Sequence, residues 1–115
     1  MNIGIIGYGY WGPNLVRNFM MTNHCTVRMV ADARQERLSV LKNNYSNILV
    51  TDKSETILDN EDIDAVVIAT PVFTHFQLAQ KALQNGKHVL IEKPMTHTSA
   101  QALELIDLAA KKIKY

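Results

Sequence analysis

A single cysteine, Cys25, occurs in the 115 residues, so no internal disulfide can staple the chain. The fold must rest on an apolar core, and the cysteine usage fits a reducing compartment. Charge of one sign is missing too: 12 Lys and Arg against 11 Asp and Glu leave a formal net charge of +1. That balance gives no reason to expect nucleic acid or another polyanion as partner. No apolar run is long enough to cross a bilayer. The apolar N-terminus lacks a basic leader and is broken by glycines, unlike a signal peptide. A cytoplasmic protein with no membrane partner is therefore expected. His24, His88 and His97 stand at no ligand-like spacing from cysteine or carboxylates, so no metal is expected. Linkers and low-complexity segments are absent as well, and with 47% hydrophobic residues the chain reads as one globular domain over 1–115.

What is present alternates strand with helix. Strands are expected near Asn2–Ile6, Thr26–Ala31, Ile48–Val50, Ala65–Ala69 and His88–Ile91. Ala65 to Ala69 is apolar on both faces, as a central parallel strand covered by helices must be. A first helix is expected from Trp11 to Met21, with Pro13 in its first turn and Leu15, Val16, Phe19 and Met20 as its buried stripe. A second runs through Leu38 and Leu41 to Asn43-Asn44. Asp52-Lys53-Ser54-Glu55 and Thr74-His75-Phe76-Gln77 each offer a capping box for a further helix. Gly86 is placed to end the helix through Phe76, Ala79 and Leu83. A last helix from Thr98 is expected to turn Leu103, Ile106 and Ile113 inward. The pattern predicts an α/β domain with a doubly wound parallel sheet of five strands, the sixth missing or incomplete.

The most informative stretch is Ile3-Gly4-Ile5-Ile6-Gly7-Tyr8-Gly9-Tyr10-Trp11-Gly12, with Asp32 twenty residues further on. A strand that runs into Gly-x-Gly-x-x-Gly and then a helix has the parts of a dinucleotide site. Gly7 permits the tight turn, Gly9 lets backbone approach a pyrophosphate, and Gly12 lets the helix pack closely. Free N–H groups at the helix start meet phosphate oxygens. Tyr8, Tyr10 and Trp11 would cover the pyrophosphate cleft and pack against the first helix. Asp32 can accept hydrogen bonds from ribose hydroxyls and favours NAD, because a 2′-phosphate would meet a carboxylate. It could equally cap the second helix. Arg34 nearby keeps NADP open.

Ala69-Thr70-Pro71-Val72-Phe73-Thr74-His75 and Gly86-Lys87-His88-Val89-Leu90-Ile91-Glu92-Lys93-Pro94, in that order after the glycine loop, resemble the motifs of the Gfo/Idh/MocA family across essentially the whole chain. The resemblance implies the N-terminal Rossmann domain of a nicotinamide-dependent oxidoreductase acting on a sugar, inositol or nucleotide sugar. It implies that Lys93 lies beside nicotinamide and substrate hydroxyl as the catalytic residue. Glu92 would approach the nicotinamide ribose, and Thr70, Pro71 and His75 would line the cofactor cleft. Family members continue into a substrate domain that supplies the acid–base pair, so these 115 residues are expected to bind cofactor without turnover. A non-catalytic NAD(H) sensor or interaction module is the alternative. Strand five at an exposed edge would also permit a homo-oligomer.

Overall fold

The computed structural model describes residues 1–9, 12–91 and 99–112. Strand β1 (Asn2–Ile6) is buried from Ile3 to Ile6, which suits a strand with apolar layers above and below. It lies at the centre of a five-stranded parallel sheet ordered β3-β2-β1-β4-β5. Here β2 is Thr26–Ala31, β3 Leu49–Thr51, β4 Ala65–Ile68 and β5 His88–Ile91. Helices α1 (Gly12–Met20), α2 (Gln35–Asn44), α3 (Ser54–Leu58), α4 (His75–Gln84) and α5 (Ser99–Lys112) connect or follow the strands. Among the described residues, no helix is long and apolar enough to cross a membrane.

Two apolar layers sandwich the sheet. Ile3, Ile5, Val30 and Val67 pack with Val16 of α1 and Leu41 of α2 on one face. Ile6, Met29, Val66 and Ile68 pack with Ile57, Ala79, Leu83 and Leu105 on the other. Strict alternation would place Val27 and Val30 on opposite faces. They share one because the β1–β2 register shifts between Ile3 and Gly4, passing from Val27 to Met29 and leaving Arg28 out of the pairing.

The chain winds outward from β1 to β2 to β3, crosses back to β4, and then continues outward to β5. The winding therefore reverses between β1 and β4, where an open parallel sheet forms its ligand crevice. Register brings these strand ends level: Ile6 pairs with both Ala31 and Ile68. The Gly7 N–H donates to Ala31 O at 2.7 Å and the Ala69 N–H to Ile6 O at 2.8 Å.

Local details differ from the sequence expectation. Neither capping box forms. Helix α3 starts one residue late, with Lys53 at its N-cap and no side-chain cap. Before α4, Val72–Thr74 make a 3-10 turn that puts Thr74 in a helical conformation, not the extended one a capping side chain needs. Its hydroxyl reaches back instead, 2.7 Å from Pro71 O and 2.6 Å from Thr70 Oγ1. In α1, Val16 is buried and Leu15 and Phe19 half-buried, whereas Met20 is exposed beyond the edge of the apolar layer. Helix α5 is rotated from the expected orientation. Leu105 is the buried residue, with Leu108 and Ala109 against the same layer, while Leu103 and Ile106 are exposed. The helix carries two apolar stripes, and contact with α4 selects the one through Leu105. Ile113 lies outside the described residues.

At the amino ends of β4 and β5, Lys87 is buried and its ammonium donates to Asn60 O at 2.6 Å and Ile63 O at 2.8 Å. Burial pushes its pKa down. It ties the α3–β4 connection to β5 beside a shallow cleft of about 470 Å³, far from the glycine loop.

Candidate functional site

At the carboxyl ends of the strands, a cleft of about 820 Å³ opens between the loop after β1, the loop after β2 and the loop after β4. Each glycine of the loop has a separate steric reason to be there. Gly7 sits at φ +104°, a conformation other residues rarely adopt, and a Cβ on it would stand 2.6 Å from Ala69 O. It turns the chain tightly against the exit of β4. A Cβ on Gly12 would stand 2.9 Å from Gly7 O, so α1 can begin this close to the loop only without a side chain. Gly9 lines the cleft, and among the described residues the one atom near its imagined Cβ is Arg34 Nη2, at 3.1 Å. Among the described residues, only that side-chain tip approaches this position. Tyr8 turns the other way, buried with Val16 beneath α1, and burial there, with Tyr45 nearby, raises its pKa.

Asp32 follows β2 directly and is buried. Its Oδ2 accepts the Tyr8 N–H at 2.8 Å and its Oδ1 the Arg34 N–H at 2.9 Å. The Arg34 side chain adds Nε to Oδ1 and Nη2 to Oδ2, both at 3.1 Å. Burial alone would push this carboxyl up, but the Arg34 and Tyr8 hydrogen bonds together hold it below the ordinary carboxylate value. Asp32 does not cap α2 through a first-turn amide. It holds the residue before that helix in an Asx-type turn.

Thr70, Pro71 and Thr74 form the opposite wall. His75 lies beneath this wall, buried, its Nε2 2.7 Å from Thr70 O. It supports the lining without being part of it. Tyr10, Trp11, Glu92, Lys93 and Pro94 lie outside the described residues. The cleft also takes in Asp52, Ser54 and Glu55 from the β3–α3 junction and Gln77 and Leu78 from α4, which the motifs did not mark. The rule that ligands sit beyond strand carboxyl ends would have reached Asp52 and Ser54, since β3 ends at Thr51. Among the described residues, no group of three His, Cys, Asp or Glu could hold a metal ion.

A bare glycine backbone, a helix N-terminus whose first amides have no intrahelical acceptor, and a carboxylate at the end of β2 suit the pyrophosphate and ribose of a dinucleotide. The model of the Gfo/Idh/MocA oxidoreductase family, NAD-binding Rossmann fold, matches residues 1–115. The chain belongs to this family. An inositol 2-dehydrogenase of Renibacterium salmoninarum is 34% identical over 92% of this chain and 32% of its own length. A solved NAD-binding protein from Listeria innocua superposes with a TM-score of 0.90 at 34% identity, over 98% of this chain and 33% of that one. Biliverdin reductase from Synechocystis, solved with biliverdin and NADP+, gives a TM-score of 0.93 at 26% identity over 98% of this chain and 35% of that one. The Gfo/Idh/MocA domain seen here thus spans about a third of the length of such relatives.

Proposed function

We propose that this domain holds NAD for an oxidoreductase acting on a sugar, inositol or nucleotide sugar. The observation that carries the cofactor assignment is Asp32: a buried, ionised carboxylate on the cleft that also exposes Gly9. Asp52 and Glu55 line the same cleft, and three carboxylates there disfavour the extra charge of a 2′-phosphate. The bound dinucleotide supplies the redox chemistry, giving or taking hydride at its nicotinamide. The chain's part is to bind and orient it. The glycine loop and the start of α1 take the pyrophosphate, Asp32 the adenosine ribose, and the Thr70–Pro71 wall the nicotinamide side. We assign Glu92 to the nicotinamide ribose. Lys93 would polarise the reacting C–O bond with its ammonium. The substrate class rests on the motif resemblance and on relatives such as the inositol dehydrogenase.

Because the chain covers a third of those relatives, the acid–base pair is assigned to sequence outside it. These 115 residues therefore bind cofactor without turnover. Calorimetric titration with NAD, NADP and S-adenosylmethionine tests the cofactor: NAD is expected to bind tightest, and preference for S-adenosylmethionine would overturn the reading. Robust oxidation of inositol or a sugar by this chain alone would overturn the claim of no turnover.

A further inference from the structure

Asn85 alone among the asparagines of the chain is followed by glycine. An asparagine deamidates when the backbone nitrogen of the next residue attacks its Cγ, and a glycine there brings no side chain to obstruct the attack. The new N–Cγ bond closes a five-membered imide as the Cγ–Nδ2 bond breaks, and the proton of the attacking nitrogen leaves with the ammonia. Water then opens the imide at either carbonyl and leaves aspartate or isoaspartate.

The fold holds both nitrogens of this reaction. Asn85 is exposed at the end of α4. Its Nδ2 nevertheless donates to Leu58 O, at the end of α3, at 2.7 Å and to Asp59 Oδ1 at 3.3 Å. The attacking nitrogen is engaged as well. The Gly86 N–H donates to Leu83 O and the Lys87 N–H to Ala82 O, both at 3.0 Å, which closes the helix with Gly86 at φ +79°. Asn85 sits at ψ 9°, so the Gly86 nitrogen is nearly eclipsed with Asn85's own nitrogen. The imide needs it eclipsed with Cβ instead. The ring can therefore close only after the end of α4 has opened and Asn85 has let go of α3.

We propose that Asn85-Gly86 is a deamidation site gated by the tie between α3 and α4, and that the modification cuts that tie for good. The product carboxylate has no N–H to offer Leu58 O and sets a second negative charge against Asp59. It also stands at the carbonyl end of α4, where a cation is favoured. Lys87 keeps its bonds to Asn60 O and Ile63 O and is left to hold the α3–β4 connection without Asn85. The chain thus carries a one-way mark of the time its helix end spends open.

The test is peptide mass mapping of the chain kept in mildly alkaline buffer, folded and in urea. In urea, the peptide holding Asn85-Gly86 is expected to gain the mass of deamidation before any other asparagine does. In the folded chain the same gain should be about tenfold slower or more, since two hydrogen bonds must break first. Asn85→Asp, the product made directly, should melt about 3–8 °C below wild type. Equal rates in the two states overturn the gating. Earlier modification of another asparagine, or none at Asn85, overturns the site. A wild-type melting temperature for Asn85→Asp overturns the cutting of the tie.

Discussion

His75 Nε2 lies 2.7 Å from the carbonyl oxygen of Thr70, with the imidazole 1% exposed at the start of α4. The bond spans the 3-10 turn and fixes the loop whose other side faces the cleft. His75→Ala removes that partner and opens a small hole. The expected cost is about 1–3 kcal/mol of stability, read by urea unfolding. NAD affinity should fall with it although His75 is off the cleft surface. Full stability with unchanged affinity would show that the loop holds itself.

Gly7 and Gly9 separate folding from binding. Gly7→Ala forces a side chain into φ +104° and against Ala69 O, so a loss of at least about 2 kcal/mol is expected. Among the described residues, a Cβ on Gly9 meets only the tip of Arg34, which can move away. The stability of Gly9→Val should stay within about 0.5 kcal/mol of wild type. Its NAD affinity should fall about tenfold or more, as phosphate contacts to backbone are blocked. Wild-type-like NAD binding by Gly9→Val would count against the pyrophosphate assignment.

Asp32 sets an acid limb to stability. Its folded pKa is lowered by the Arg34 and Tyr8 hydrogen bonds. Its contribution is therefore fully present above the unfolded value of about 3.9 and is lost as pH falls from there through the folded value. Thermal melts between pH 7 and pH 3 should show Asp32→Asn losing less stability over that acid range than wild type does. Parallel curves would mean that the carboxylate is not preferentially ionised in the native state.

The two stripes of α5 should behave differently. Leu105→Ala empties a position in the core and should cost about 2–4 kcal/mol. Leu103→Ser or Ile106→Ser changes an exposed side chain and should cost no more than about 0.5 kcal/mol. Equal costs measured by denaturant titration would reverse the orientation given to this helix.

That helix shows where sequence reading stops. Strand positions were legible because parallel strands buried on both faces are apolar throughout, and Ala65–Ile68 could hardly be anything else. The glycine loop and Asp32 were legible because steric demands leave few residue types possible. Helix α5 was not, since Leu103, Leu105, Ile106 and Leu108 supply two competing stripes and only the position of α4 decides between them. The caps failed for local reasons: α3 starts one residue past the point its box fits, and the 3-10 turn before α4 leaves Thr74 helical where a cap must be extended. The pairing of Arg34 with Asp32 was invisible too, because proximity in sequence marks a candidate charge but not which oxygen it occupies.

The neighbours of Asp32 in the chain are Ala31 and Ala33. The Tyr8 amide meets a carboxylate only because Ile6 is paired with Ala31. Were β2 to slip by one residue in either direction, a methyl group would stand where that carboxylate belongs, and the amide would lose its acceptor. The cleft therefore doubles as a gauge of strand alignment: a misregistered sheet would lose the Asp32 carboxylate from its wall, so an intact cleft reports that β1 and β2 have paired correctly.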